Sequence, residues 1–320
     1  MSPGDRRGNE GNAVSWKLLY WILGVIALLP LLNLILGVHP PTFTTQDDPG
    51  RYGLRYERIS FPTADGLTLR GWFIPAARTR ESPNEHSRAG GCATILVGHG
   101  YPFDKANILG HTIFLHSRFN LLLIDFRYFG ESDGAYTTAG LLETRDVEGA
   151  VAYLKQRDDV DPKRMGAMGF SMSAAAFILA QHPDMRAIVA DSPYARLEDV
   201  IAQQFFFLPG PTKWPFVALT KLYARLILGV KVTDAAPAEA ARHMTTPLLL
   251  IHGENDSQIP VEHAHRIQAN ANPASTEVWI VPDADHGLAH AFEGHQYELR
   301  VVQFFERHLC GPSPRITDEE

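Results

Sequence analysis

The chain has 320 residues, 45% of them apolar and 20% charged, with a net charge of −7. That length accommodates one large α/β domain with a substantial core, or two small ones. The acidic balance and the lack of any basic run argue against nucleic-acid binding. Two cysteines, Cys92 and Cys310, cannot make a disulfide framework.

After an N-terminal tail (1–17), residues 18–38 run without a charge and are long enough to cross a bilayer as a helix. Trp16, Tyr20 and Trp21 stand at the start of this span, where amphipathic aromatics favour the interface, whereas Pro30 and Asn33 weaken it. A cleaved signal sequence and a buried core helix are the competing assignments. The apolar core is long for a signal, and no A-x-A site follows. Arg6, Arg7 and Lys17 precede the span while His39, Asp47 and Asp48 follow it, which favours a cytoplasmic N-terminus and an external bulk. Arg51, Arg55 and Arg58 reduce that asymmetry. Residues 39–55 read as a linker leaving the membrane.

Residues 56–61 and 67–74 alternate around Ala64-Asp65-Gly66, the pattern of a β-hairpin. A polar, irregular stretch at 78–91 reads as a surface loop. Residues 93–97 and 119–126 are continuous apolar runs suited to strands covered on both faces. A helix is expected over 140–156, with Leu141, Val147, Val151 and Leu154 on one face. Then come a strand at 164–168, a helix of small and apolar residues ending near Pro183, and a strand at 187–190. Residues 195–242, rich in Phe and Trp, break the strand–helix rhythm and read as a small helical cap insertion. Strands at 248–251 and 277–281, a helix at 291–308 and a frayed tail (311–320) complete the chain. Alternating strands and helices predict a mostly parallel central sheet with helices on both faces.

Met168-Gly169-Phe170-Ser171-Met172-Ser173 sits where a strand must turn into a helix, the context required of a nucleophile elbow. Gly169 leaves space beside a strained nucleophile, and the following helix aims free N–H groups at an oxyanion. Ser173 occupies a position where glycine is usual. Function in such sheets gathers past the carboxyl ends of the strands. Asp256 follows one strand in His252-Gly253-Glu254-Asn255-Asp256, and His286 another in Asp283-Ala284-Asp285-His286-Gly287. His286 is the expected base for Ser171 and Asp256 the expected acid that orients it, with Asp191 in reserve. The N–H groups of Met172 and Tyr101 are the expected oxyanion donors; Pro102 has none. Asp125 and Arg127 are expected to brace the loop around the site. His263, His265, His290 and His295 lack a carboxylate–histidine metal signature, and no glycine fingerprint follows a strand, so no metal or cofactor is expected.

Gly98-His99-Gly100, Asp125-Phe126-Arg127 with Gly130-Glu131-Ser132, the elbow at 169–173, His252-Gly253 with Asp256, and Asp285-His286-Gly287 together resemble the α/β-hydrolase superfamily over residues 56–310. The layout is similar to single-pass, membrane-anchored serine hydrolases of the lipase and esterase type. The resemblance implies an α/β-hydrolase fold with Ser171, Asp256 and His286 as triad. The expected activity is cleavage of a small-molecule or lipid ester through an acyl-enzyme. An amidase, peptidase or thioesterase would use the same triad, and a membrane-anchored binding protein with a vestigial site is the non-enzymatic alternative.

Overall fold

Apolar residues at every position of a strand need cover on both faces, and the central strands here obtain it. A computed structural model of the protein describes residues 10–43, 45–77 and 92–310. The surface loop expected at 78–91 and the C-terminal tail at 311–320 lie outside the described residues, as does the start of the N-terminal tail. Eight strands form one sheet: β1 (Glu57–Pro62), β2 (Thr68–Ile74), β3 (Cys92–Gly98), β4 (Asn120–Asp125), β5 (Val160–Phe170), β6 (Met185–Asp191), β7 (Leu248–Gly253) and β8 (Thr276–Val281). Their order is β1-β2-β4-β3-β5-β6-β7-β8; β2 runs antiparallel to both its neighbours and all other pairings are parallel. This is the α/β-hydrolase topology expected from the motifs.

The helices are α1 (Glu10–Val38), α2 (Lys105–Thr112), α3 (Thr144–Leu154), α4 (Met172–Ala180), α5 (Leu197–Gln204), α6 (Trp214–Tyr223), α7 (Pro237–Ala240), α8 (Glu262–Asn270), α9 (Ala289–Glu293) and α10 (His295–Phe305). Side-chain alternation along each strand divides the core in two. Leu96, Leu122, Ile124, Leu248 and Leu250 face α3, α4, α7 and α8. Ile95, Val97, Leu121, Leu123, Leu249 and Ile251 face α2, α9 and α10. Each such buried side chain contributes about 1.5–3 kcal/mol of transfer free energy, so the sheet is the rigid body on which the loops are mounted.

Two helical expectations and one about the linker change. The helix expected at 140–156 starts only at Thr144, because the buried Glu143 carboxylate accepts bonds from Thr137 Oγ1, Thr138 N and Oγ1, and Gly140 N, holding that stretch as a loop. The C-terminal helix divides at Gly294, whose φ of +49° interrupts it between α9 and α10. The linker does not hang free: Tyr128 Oη donates to the Pro40 carbonyl at 2.8 Å and the Thr45 N–H to Asp104 at 2.7 Å.

Two compact units make up the chain: His39–Leu197 with Thr233–Glu320, which carries the sheet, and Met1–Val38 with Glu198–Val232. In the second unit α1, over Trp16–Val38, is long and apolar enough to cross a membrane. The aromatic run 205–207 divides sharply. Phe205 is buried with Ala202 and Val217, against Leu29 of α1, whereas Phe206 is 85% exposed. Adjacent residues of one kind thus have opposite surroundings.

The hairpin is tied to the sheet by charge. Arg127, after β4, donates Nη1 and Nη2 to Asp65 in the hairpin turn at 2.9 and 3.2 Å, and its Nε and Nη2 to Asp146 of α3 at 2.9 and 2.6 Å. Those Arg127 bonds, reinforced by Thr63 and Arg145, hold the Asp65 carboxyl well below the usual carboxylate range. Because the folded value lies below the unfolded one, this stabilisation is fully present above about pH 4 and is lost as pH falls through the folded value. Asp65→Asn is expected to lower stability at pH 7 by on the order of 1–3 kcal/mol. In urea unfolding, the gap from the parent protein should narrow as pH falls below about 4. A gap that stays constant into acid would show that Asp65 does not act through its charge.

Candidate active site

Strand order reverses at β3: β4 lies on one side of it and β5 on the other. The crevice beyond the carboxyl ends of β3 and β5 is the position where sheets of this kind bind ligands. Ser171 stands there, between the end of β5 and the first residue of α4, with φ +53° and ψ −108°. A side chain at positive φ is strained, so the surroundings must hold it. They do so by close approach. A Cβ added at Gly169 would lie 2.5 Å from the Ala174 nitrogen, and one at Gly98 would lie 2.5 Å from the Ser173 Cβ. The serine at 173 thus fits because β3 is bare at Gly98. Its hydroxyl accepts the Phe170 N–H at 2.9 Å and returns a bond to the Phe170 carbonyl at 3.0 Å, locking the turn. The Ser171 N–H donates to the Asp191 carbonyl at 2.8 Å.

His286 Nε2 lies 3.1 Å from Ser171 Oγ, and His286 Nδ1 lies 2.7 Å from Asp256 Oδ2. The other oxygen of Asp256 accepts the N–H groups of Gln258 and Ile259 at 3.0 and 2.7 Å. With Asp256 an acceptor throughout, the Nδ1 proton of His286 points to it and Nε2 is left to accept from Ser171. Asp191 does not reach the imidazole through a hydrogen bond. Its oxygens take the Tyr297 hydroxyl at 2.7 Å and the Ser192 hydroxyl at 2.9 Å, and burial pushes its carboxyl up. Asp283 is also remote in role, its Oδ1 lying 3.5 Å from Asn255 Nδ2.

Met172 is the first residue of α4, where a backbone N–H has no intrahelical acceptor. Gly100, just before Tyr101, borders the same crevice: a Cβ placed on it would stand 3.6 Å from that of Ser171. The expected residues Tyr101, Ser171, Met172, Asp256 and His286 are thereby gathered at one end of the sheet. Around them, Asp125 takes the Lys105 N–H and ammonium at 2.8 and 2.5 Å and the Glu131 N–H at 2.9 Å, bracing the loops after β3 and β4 as expected.

Residues 132–311, more than half of the chain, match the model of the prolyl oligopeptidase family. The chain belongs to the prolyl oligopeptidase family. The matched stretch contains Ser171, Asp256 and His286, and the chain is a hydrolase of the α/β-hydrolase superfamily. Among relatives, it is 28% identical to the uncharacterized protein YfhR of Salmonella typhi over 314 residues, 91% of this chain and 94% of that one. It is 24% identical to the α/β-hydrolase domain-containing protein WAV2 of Arabidopsis thaliana, with 84% of each chain covered. Among solved structures, it is similar to the Pyrococcus furiosus esterase Pf2001, with a TM-score of 0.66 and 26% identity over 85% of this chain and 98% of that one.

This prolyl oligopeptidase family member also uses residues that sequence reasoning passed over. His99, fully buried and held neutral by burial, accepts the Phe126 N–H at Nε2 (3.1 Å), and its Nδ1 lies 2.9 Å from the Gly100 carbonyl, tying the Tyr101 loop to the end of β4. Phe170 wedges between Gly100 and Gly287 with its ring 5.0 Å from that of His286; a side chain on either glycine would collide with it. Asp285 accepts from Ser257 N (2.8 Å) and from His286 N (2.7 Å), joining the loop after Asp256 to the loop of His286. His99, Phe170 and Asp285 all stand inside motifs visible in the sequence, but the motifs do not say what each side chain touches.

The Gly98–Ser173 contact can be tested by exchange. Gly98→Ala should destabilise the protein by about 1–3 kcal/mol through overpacking and reduce Ser171 reactivity. Adding Ser173→Gly should recover part of both, giving a coupling of about 0.5–3 kcal/mol in a double-mutant cycle. Additive losses would show that the two positions do not share a contact.

Proposed function

We propose that the protein hydrolyses carboxylic esters with a hydrophobic or acyl-lipid moiety through an acyl-enzyme on Ser171. The observation that carries this reading is the continuous hydrogen-bonded line from Ser171 through His286 to Asp256, with the serine at a strained elbow. The likeness to an archaeal esterase supports the ester substrate. In the first half-reaction Ser171 Oγ attacks the carbonyl carbon while His286 Nε2 takes its proton. Asp256 stabilises the resulting imidazolium, and the N–H groups of Met172 and Tyr101 receive the oxyanion. The tetrahedral adduct collapses as His286 protonates the leaving alkoxide. Water then repeats the sequence on the acyl-enzyme, releasing the acid and restoring Ser171. No metal or organic cofactor enters this scheme, and the partner is a small-molecule or lipid ester. Peptide, amide or thioester cleavage by the same groups is the alternative that the substrate comparison below separates from it.

Ser171→Ala and His286→Ala should each remove nearly all turnover and all labelling by a serine-directed fluorophosphonate. Asp256→Asn should lower kcat by on the order of 10³–10⁴ by favouring the wrong tautomer. Asp283→Asn should retain at least about a tenth of the rate. Near-normal kcat in folded Asp256→Asn would refute the acid assignment. On matched acyl esters, thioesters and amides, kcat/KM should favour the ester; the reverse order would make the protein a thioesterase, peptidase or amidase.

The anchor reading extends this proposal: α1 holds the protein in a membrane, with the hydrolase unit outside the cytoplasm. The full chain should resist carbonate extraction and its hydrolase unit should be reached by external protease. Extraction of the chain with its N-terminus intact would defeat the anchor, and protection from the protease would reverse the orientation.

A further inference from the structure

The insertion at Glu198–Val232 clusters with α1 in one compact unit, and it leaves large apolar side chains uncovered. Thr220 Oγ1 lies 3.5 Å from the Pro30 carbonyl, Tyr223 Oη donates to the Ala27 carbonyl at 3.1 Å, and Leu29 packs on Ala202, Phe205 and Val217. These contacts fall at the middle of the apolar stretch Trp16–Val38, not at its end. At about 1.5 Å per residue, Ala27 lies roughly 16 Å from either end of that stretch. Anything packed against Ala27 and Pro30 therefore sits at the depth of the bilayer core wherever α1 spans one.

The insertion has the surface that such a position demands. Phe206 is 85% exposed, Leu226 70% and Ile227 59%, with Phe207, Trp214 and Leu222 exposed beside them. The Tyr223 hydroxyl is satisfied by the Ala27 carbonyl of α1 and the Thr220 hydroxyl by the Phe216 carbonyl of its own helix at 3.0 Å, as polar groups must be where no water is available. Lys221 pairs with Glu198 at 2.8 Å. From Val200 onward the insertion carries no acid but four basic residues, Lys213, Lys221, Arg225 and Lys231, in a chain of net charge −7. Lys213 stands over the Trp214 ring at 5.8 Å, the aromatic-plus-basic pairing suited to a headgroup layer.

We infer that the insertion is itself a lipid-contacting element, immersed beside α1 in an anionic phospholipid bilayer with its apolar face toward the acyl chains. This rests on the reading of α1 as an anchor and goes beyond it. A lone anchor leaves the insertion in water, whereas here α1 and α6 enter lipid as one packed unit. Lys213, Arg225 and Lys231 select the occupant: their long stems reach the headgroup layer and favour phosphate over a neutral surface.

The test uses the full chain with Cys92→Ser and Cys310→Ser, carrying one NBD-labelled cysteine at a time, in vesicles of three parts phosphatidylcholine to one part phosphatidylglycerol. Phe206→Cys and Ile227→Cys report on the insertion, Leu28→Cys on α1, and Lys163→Cys on an exposed strand position of the hydrolase unit. Probes at 206 and 227 should emit at short wavelength and be quenched by acyl-chain nitroxide lipids at least about threefold more than the probe at 163, as for helices buried in the acyl boundary. Quenching at 28 but not at 206 and 227 would overturn this inference and leave the anchor standing. No quenching at any of the three would overturn both. Short-wavelength emission at 206 and 227 without nitroxide quenching, accompanied by cross-linking between copies, would assign the face to a second copy of the chain instead.

Discussion

The constraint on which the site depends is the distance between the first turn of α4 and the sheet. Ser171 can hold φ +53° only because β5 stops, reverses and restarts as a helix within one residue. That path exists only while Gly169 and Gly98 present no side chain to α4. A strained residue of this kind costs about 1–3 kcal/mol. The cost is small beside the many side chains buried on the two faces of the sheet, each contributing a comparable amount. The strain is therefore held by the core as a whole. The elbow sits on a strand with neighbours on both sides, β3 and β6, where such rigidity is available.

The loops above the sheet are rigid for a different reason. They cannot bury apolar surface and still expose the site, so they are joined by polar bonds. Asp125 gathers Lys105 and Glu131, Arg127 gathers Asp65 and Asp146, and Glu143 closes the turn before α3. A buried ion pair contributes little net stability over an apolar pair of the same shape, yet removing one partner costs about 3–5 kcal/mol. Such pairs fix where a loop lies better than they raise the stability of the whole. At the site, Asp285 and His99 extend the same logic: one joins the loops of Asp256 and His286, the other pins the loop that carries Tyr101.

The strands were legible because a strand covered on both faces has little polar to show, and β3, β4 and β7 each carry an apolar run at 95–97, 121–124 and 248–251. That Ser171, Asp256 and His286 meet at one end of the sheet was legible because each follows such a run. What escaped was set by partners distant in sequence. The start of α3 depends on four bonds to Glu143, and the break in the C-terminal helix on one glycine at φ +49°. Helices α2 and α8 carry few apolar residues and gave no period to follow. The contribution of Phe170 depends on two glycines, at 100 and 287, that flank its ring.

Phe205 and Phe206 carry this furthest. They are adjacent and identical in kind, yet one is 1% exposed and the other 85%. Nothing in their local sequence separates them, because the surface that buries Phe205 includes α1, far away in the chain. Propensity and periodicity describe how a segment is built, whereas burial is decided by what the segment meets. An elbow tolerates displacement of only a fraction of an ångström, since its glycines already touch their neighbours. A lipid-facing surface has a looser requirement: apolar groups at one depth, cations near another, and hydroxyls satisfied from within. The apolar groups and the bonded hydroxyls of the insertion belong to no motif, which is why composition alone suggested a cap and contact with α1 was needed to suggest a membrane.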